Sequence, residues 1–322
     1  MKSPSAEDIK NKILNNYIEY LYLFVEVQSK FLSGLYDRYQ NLENGNLVLY
    51  FAKQTHQDIL RQKDYDLNFD ISYKKFWQNH HGVKPKKKSL TTIAEYTHLP
   101  KETVRRKILQ LIKQKVLNKK NKSIGWLPNE QYKQSYNLVV DKEINDICKL
   151  ISFVCEKLNI SIYKEEIEKE IKEKFSFYWF HYLGAQLEYL RLWNKQFKDL
   201  ELILVFLQVA HLFSSKAKKF FLSHQEIYEN PALFREFTSA SISATSISEV
   251  TKIPRATCVR KLESLVNMNA ISQDKISKRY YIIPNAISDD LISRNTTQKT
   301  VEIFSNFFFI CVRAINIKTS NL

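Results

Sequence analysis

Two short stretches of this chain carry the side chains best suited to chemistry, and that chemistry is recognition of a polyanion. After Pro100 come Lys101, Glu102, Thr103, Arg105 and Arg106, and after Pro254 come Arg255, Thr257, Arg260 and Lys261. Lys and Arg donate to phosphate oxygens, and Arg, Glu and Thr pair with base edges when a helix carries them into the major groove. Lys101 and Arg105, like Glu102 and Arg106, are four residues apart, which puts each pair on one side of a helix.

The residue types that break bonds are not arranged to do so. There is no phosphate-cradling glycine loop, no metal-ligand spacing and no nucleophile elbow, so no enzyme activity, cofactor or metal is expected. His80 and His81 are adjacent, which does not aim both rings at one ion, and they read as loop residues. Cys148, Cys155, Cys258 and Cys311 lack CxxC spacing and lie mostly in apolar helical patterns, so they read as buried small hydrophobes in a reducing cytoplasm.

The elements that position the basic side chains are written twice. Residues 93–108 read IAEYTHLPKETVRRKI and residues 247–262 read ISEVTKIPRATCVRKL, an ungapped offset of 247 − 93 = 154. The pairs Ile93/Ile247, Glu95/Glu249, Thr97/Thr251, Pro100/Pro254, Thr103/Thr257, Arg106/Arg260 and Lys107/Lys261 are identical, where chance gives about one, so this is a duplicated unit. In the first copy Leu90, Ile93 and Ala94 face inward on a short helix ending near Tyr96. Thr97 to Leu99 makes the turn and Pro100 opens a second helix, where its missing N–H costs nothing. Val104, Ile108, Leu111 and Ile112 give that helix its core face, as Cys258, Leu262 and Leu265 do in the second copy, leaving Arg255, Thr257, Arg260 and Lys261 outward.

A short hairpin is expected after each helix. The first has Val116-Leu117, a turn over Asn118 to Ser123, and Ile124 to Leu127; the second has Ala270-Ile271, a turn over Ser272 to Lys278, and Arg279 to Ile283. The turns carry Lys119, Lys120 and Lys122, and Lys275, Lys278 and Arg279, cations suited to phosphate or minor-groove contact. Just before the first copy, Lys84-Pro85-Lys86-Lys87-Lys88 reads as a flexible basic arm for the phosphate backbone.

Upstream, Leu47, Leu49, Phe51 and His56 align with Leu202, Leu204, Phe206 and His211 at an offset of 155. The expected fold is therefore mainly α, as two tandem copies of a helical domain, each with a winged helix-turn-helix and a short β-hairpin wing. The domains are 1–155, with the helix-turn-helix at 89–117 and wing at 117–128, and 156–322, with the helix-turn-helix at 243–271 and wing at 271–284. Ile13 to Phe31 and its counterpart Phe175 to Trp193, dense in aromatics, should bury one face against the winged domains. Lys164 to Lys174 reads as a solvated connecting helix. Five Gly and seven Pro in 322 residues, with 44% hydrophobic content, fit two helical cores. The start MKSPSAEDIKNK has no apolar signal core, and Leu202 to Phe213, interrupted by Gln208 and His211, is too short and polar to span a bilayer. A cytoplasmic, nucleoid-associated protein is expected. The net charge of +15 and pI near 9.4 draw polyanions, which fits RNA or anionic lipid as well as DNA.

At Leu99-Pro100-Lys101-Glu102-Thr103-Val104-Arg105-Arg106 and Ile253-Pro254-Arg255-Ala256-Thr257-Cys258-Val259-Arg260 the chain resembles the winged helix-turn-helix superfamily of bacterial transcription regulators. The closest pattern is the IclR-type one, a short helix and turn running into Leu-Pro-basic-x-Thr, a hydrophobe and then Arg. The resemblance covers about forty residues in each half. It implies double-stranded DNA binding by Lys101, Thr103, Arg105 and Arg106 and by Arg255, Thr257 and Arg260. Two departures stand out: His98 and Lys252 occupy the turn position usually filled by Gly, and no segment resembles the ligand-binding domain that follows in IclR regulators, so control by a small molecule is not implied.

The expected function is a transcription regulator acting as a single-chain pseudo-dimer, one recognition helix per half-site, that occludes promoters or recruits RNA polymerase. If both helices dock on one DNA face, their targets lie about one helical turn apart. A plasmid-type replication initiator with tandem winged domains, and a winged-helix protein-interaction module, stand beside it.

Overall fold

A computed structural model describes residues 4–121, 123–127, 130–220, 223–229, 240–282 and 294–319. The chain is mainly helical, and its paired strands form two small antiparallel hairpins among the described residues. The first half runs through α1 (Ala6–Asn15), α2 (Tyr17–Tyr39), α3 (Leu42–Tyr65), a 3-10 turn (Tyr73–Lys75), α4 (Phe76–Gly82), α5 (Leu90–Thr97), α6 (Lys101–Lys113), the hairpin β1 (Leu117–Lys120) and β2 (Ser123–Trp126), and α7 (Glu130–Lys157). The second runs through α8 (Lys164–Glu173), α9 (Phe175–Phe197), α10 (Leu200–Ala217), a 3-10 turn (Lys218–Phe220), α11 (His224–Glu229), α12 (Ala244–Thr251), α13 (Arg255–Asn267), the hairpin β3 (Ser272–Gln273) and β4 (Tyr280–Tyr281), and α14 (Arg294–Thr319).

Helix boundaries in the first 40 residues recur at a second offset, 164 − 6 = 158. α1 and α8 match at both ends, as do α2 and α9. The break between α1 and α2 at Asn16 (φ −119°, ψ 41°) has its counterpart at Lys174 (φ −116°, ψ 41°), and Gln40 and Lys198 end α2 and α9 in the left-handed region. Side-chain contacts extend this register into α3 and α10: Lys53 Nζ lies over the Phe180 ring at 4.9 Å, and His211 stacks on Tyr22 at 5.9 Å. His211 is thus the counterpart of Lys53, not of His56 as the offset of 155 has it, and Phe175 is the counterpart of Tyr17, not of Ile13. An apolar helix repeats every three to four residues, so its leucines realign after a slip of one turn.

The chain divides into two compact units that do not follow the boundary at 155. Unit 1 is residues 1–42, 149–161 and 192–309, and unit 2 is residues 43–148, 162–191 and 310–322. In unit 1, α2 from the first half packs along α10 and reaches α12 from the second, and Gln208 Nε2 donates to Ser29 Oγ at 2.7 Å. Tyr20, Phe24, Phe304 and Phe308 form an aromatic core there, with Phe24 and Phe304 centroids 4.8 Å apart. In unit 2, α9 from the second half packs on α3 and α4 from the first: Phe175 meets His56 and Phe76 at 5.3 Å each, and Lys53 lies 3.4 Å from where a Cβ on Gly184 would sit. Each half therefore lends its aromatic helix to the core that holds the other half's basic helix pair.

Two expectations change here. α8 is not a fully solvated connector, because Ile167, Glu170 and Ile171 are buried, and Glu170 accepts from the Tyr178 hydroxyl at 3.1 Å and pairs with Lys174 at 2.7 Å. Its Ile167/Ile171 pair, four residues apart among charges, was the signal of a buried face. His80 and His81 lie on α4, with His80 buried and its Nε2–H donating to the Trp126 carbonyl at 3.0 Å. All four cysteines are free and buried. The apolar run is longer than expected: Leu200–Phe220 has the length and apolarity to cross a membrane, and 72% of its most apolar 18-residue stretch is buried inside the protein.

The exchange predicts that residues 1–161 and 162–322, made as separate chains in one cell, copurify as a one-to-one complex. Either piece alone leaves a core helix uncovered and aggregates or pairs with itself. Recovery of either piece as a folded monomer, seen by sedimentation and thermal melting, would contradict the exchange.

The unit 2 core also predicts acid lability. Burial pushes His56 down to about 3 from 6.5, with His80 adding to the effect, and burial pushes His80 down to about 4. Folded-state values below the unfolded one mean that the unfolded chain takes up protons first as pH falls. Stability is whole above about pH 6.5 and drains away toward pH 4 and below, by on the order of 2 kcal/mol per histidine at pH 5. Melts at pH 7 and pH 5 should show the drop in wild type and a smaller one in His56→Leu.

Candidate nucleic-acid interface

Local rules build the two basic helix pairs identically. Ser89 and Ser243 cap the first helix of each pair by accepting from the N–H of Thr92 (2.9 Å) and Ser246 (3.1 Å), satisfying an orphan donor at the helix start. Thr97 and Thr251 turn their hydroxyls back onto the carbonyls of Ile93 (2.8 Å) and Ile247 (2.7 Å), so both are buried without an unpaired oxygen. His98 (φ 53°) and Lys252 (φ 63°) then take the left-handed conformation. A Cβ there costs about 1 kcal/mol or more, yet the turn is regular rather than distorted, and Lys252 N–H closes onto Ser248 O at 2.9 Å. Pro100 and Pro254 follow with φ of −55° and −53°, leading into α6 and α13.

Burial along the second helices separates core from surface. Val104, Ile108 and Leu111 are buried, as are Cys258, Leu262 and Leu265. Lys101, Glu102, Arg105 and Arg106 are exposed on α6, and Arg255 and Arg260 on α13, while Thr103 and Thr257 are half-buried at the edge. On α6, Arg105 clamps Glu102 bidentately, with Nη2 to Oε1 at 2.6 Å and Nε to Oε2 at 2.9 Å, and that hydrogen bond holds Glu102 below its usual carboxylate range. Ala256 and Val259 replace this pair on α13, where Arg255 Nε instead donates to Thr245 Oγ1 at 3.1 Å.

Lys261 is the clear correction among the expected site residues. It is buried and pairs with Asp199 at 2.6 Å and Glu201 at 3.0 Å, at the start of α10. Burial works to lower its pKa, but the hydrogen bonds to Asp199 and Glu201 outweigh it and raise the value. Lys107, its counterpart, is buried too and meets Glu43 at 2.9 Å. The lysine repeated in both copies bolts the second helix to the helix upstream. It does not face solvent.

Both hairpins pair further into their turns than expected, over 118–120 and 123 in the first and 272–273 in the second. β1 and β2 pair from Leu117↔Trp126 to Lys120↔Ser123, leaving two residues to turn, with Asn121 at φ 58°. Lys119 and Lys120 are exposed, and Lys122 lies outside the described residues. β3 and β4 pair Ser272↔Tyr281 and Gln273↔Tyr280, and Ile242 bridges to Tyr280 as a third edge. Ile283 and Pro284, the far end of the expected second wing, also lie outside the described residues. Lys275, Lys278 and Arg279 are exposed, and Arg279 Nη2 donates to Ser241 O at 2.8 Å.

The segment before α5 is not a free arm. Pro85 packs over β2, its Cγ 3.1 Å from where a Cβ on Gly125 would sit, and Lys86 and Lys88 line a small recess with Asp58, Thr55 and Ile124. Burial raises the Asp58 carboxyl, offset by Arg61, Lys88 and Lys86. Lys86 and Lys87 remain exposed and Lys88 is half-buried, so the basic run is held against the first hairpin.

Charge is unequal between the pairs. Thirteen Lys and Arg stand against two acidic residues over 84–122, and seven against three over the matching 238–279. Sequence reasoning missed Ile276 on the second hairpin loop, whose 94% exposure no periodicity could announce. Comparison of the chain with protein-family models, with curated proteins and with solved structures finds no match.

The buried lysines separate structure from recognition. Lys261→Met strands Asp199 and Glu201 and is expected to lower stability by about 1.5–3 kcal/mol, while leaving nucleic-acid affinity of the folded protein unchanged. Thermal melts paired with binding isotherms below the melting temperature check this, and lost affinity with an unchanged melt would return Lys261 to the interface.

Proposed function

We propose that the chain is a cytoplasmic, sequence-specific double-stranded DNA-binding protein of the transcription-regulator type, in which two winged helix-turn-helix copies form a single-chain pseudo-dimer. The observation that carries this reading is the pairing of Arg106 with Arg260 and Thr103 with Thr257. They sit at the same places on two helices entered through the same left-handed turn, and both arginines are solvent-exposed on top of a matched buried face. Core packing explains the repeated apolar positions and Lys107/Lys261, but it does not require a repeated exposed arginine. An outward helix with an N-terminal cationic half, followed by a cationic hairpin, suits a major groove and its flanking phosphates.

The reading divides labour between the copies. Affinity rests mainly on phosphate contacts from Lys101, Arg105, Lys119, Lys120, Lys86 and Lys87, and is therefore steeply salt-dependent. Base preference differs between half-sites, because the Glu102–Arg105 clamp of one copy faces Ala256 and Val259 in the other.

Selection of duplexes from a random pool, followed by anisotropy titrations across a salt series, tests it. Arg106→Ala and Arg260→Ala are each expected to cost about 1–3 kcal/mol, through separate halves of an asymmetric site. A perfectly palindromic consensus would count against two reading copies. Unchanged affinity in both variants would hand the chain to the protein-interaction reading.

A further inference from the structure

The second hairpin carries a feature absent from the first. Its loop is closed by Asp274, whose Oδ1 accepts from the N–H groups of Ser277 at 2.6 Å and Ile276 at 3.2 Å. Asp274 N–H donates to Arg279 O at 2.9 Å, Lys278 N–H donates to Asp274 O at 3.0 Å, and Lys278 turns through φ 56°. The base of the loop is tied down as well, by the guanidinium of Arg279 on Ser241 and by the Ile242–Tyr280 bridge.

This bonded frame presents Ile276 outward at 94% exposure, the highest among the large apolar side chains described. An isoleucine left in water forgoes about 1.5–3 kcal/mol of burial free energy. Asp274 spends its hydrogen bonds on keeping the backbone in a shape that holds this side chain out. Lys275, Lys278 and Arg279 surround it, all exposed. A stiff β-branched wedge ringed by cations matches the minor groove: the cations take the phosphates on either strand while the apolar tip enters between base pairs. Between the paired strands of the first hairpin the sequence reads Asn121-Lys122, preceded by Lys119 and Lys120, and holds no apolar residue.

We propose that Ile276 inserts as a wedge at a minor-groove base step beside the half-site of the second copy and kinks the duplex there, while the first wing only straddles phosphates. The inference rests on the DNA-binding reading above and extends it to one-sided bending. Unstacking a step costs a few kcal/mol, so a flexible pyrimidine–purine step is the expected target.

The test uses the full chain and the duplex recovered by selection, end-labelled for energy transfer and carrying 2-aminopurine in turn at each step flanking the second half-site. Wild type is expected to shorten the end-to-end distance and to brighten 2-aminopurine at one step. Ile276→Ala should keep its melting temperature and salt slope, lose both signals and bind roughly tenfold more weakly. Ile276→Leu should retain the bend. Wild-type binding without bending, or an Ile276→Ala protein that bends as wild type does, would overturn the wedge while leaving DNA recognition intact. Absence of duplex binding by wild type would overturn both. Loss of binding to phosphatidylserine vesicles in Ile276→Ala, with DNA bending unaltered, would assign the side chain to a membrane surface and overturn the wedge.

Discussion

An apolar helix of 18 residues that is buried along most of its length needs partners on several sides, and α10 takes one of them from a segment far back in the chain. Gln208 reaches Ser29 across 179 residues of sequence, and α2 lies along α10 as its main neighbour. α9 does the same service for α3 in the other unit, through Phe175, Phe180 and Gly184. The basic helix pairs stand on α3 and α10 through Lys107 and Lys261, so each exposed basic surface is fixed to a helix whose core is completed by the other half. A fold built this way cannot lose one half and keep the other, which is the constraint a homodimer with exchanged helices would obey if its two chains were joined.

Repetition in the sequence had two physical causes, and the structure pulls them apart. Thr97/Thr251 repeats because a hydroxyl must return a buried hydrogen bond to the preceding turn of helix, and Lys107/Lys261 repeats because a buried ammonium needs carboxylates, present at Glu43 and at Asp199 with Glu201. Pro100/Pro254 repeats because the residue that caps each second helix takes a φ of −55° or −53°, the value a proline ring fixes. Removing these and the core pair Ile93/Ile247 leaves Glu95/Glu249, Thr103/Thr257 and Arg106/Arg260, partly or wholly exposed and with no packing duty comparable to the others; of the three, only Arg106/Arg260 is a repeated cation. Identity between copies is thus weak as an argument for function until burial has been subtracted from it.

The helix pairs and most of their buried faces were legible to within a residue, because a 3.6-residue apolar period and a proline at a helix start are local signals, while the Ser89 and Ser243 caps went unread. Lys261 was misread because a lysine at an amphipathic boundary looks the same whether it points to water or to Asp199, a residue 62 positions away. The grouping of segments into the two compact units was not legible for a related reason: the aromatic faces of α2 and α9 announce that they are buried but carry no address for what buries them. The offset of 155 was drawn from leucines in an apolar helix, and the matched contacts Lys53–Phe180 with His211–Tyr22 and Lys107–Glu43 with Lys261–Glu201 distinguish it from 158. The loop at Ile276 was illegible because its shape comes from one carboxylate bonding two backbone N–H groups, a pattern that Asp-Lys-Ile-Ser permits without requiring.

What the copies no longer share follows one logic. Positive charge is concentrated on the first, where the run from Lys84 to Lys88 is held against a hairpin already bearing Lys119 and Lys120. The second has fewer cations on its helix, with Val259 and Asn267 standing where Arg105 and Lys113 stand, and has a loop that thrusts one isoleucine into solvent. Long-range attraction scales with charge and tolerates imprecise placement, whereas insertion of an apolar side chain needs a stiff support and a short reach. On the DNA-binding reading proposed above, this inequality would give capture to the first copy and deformation to the second. In a symmetric dimer both copies must carry both tasks, because any substitution appears twice.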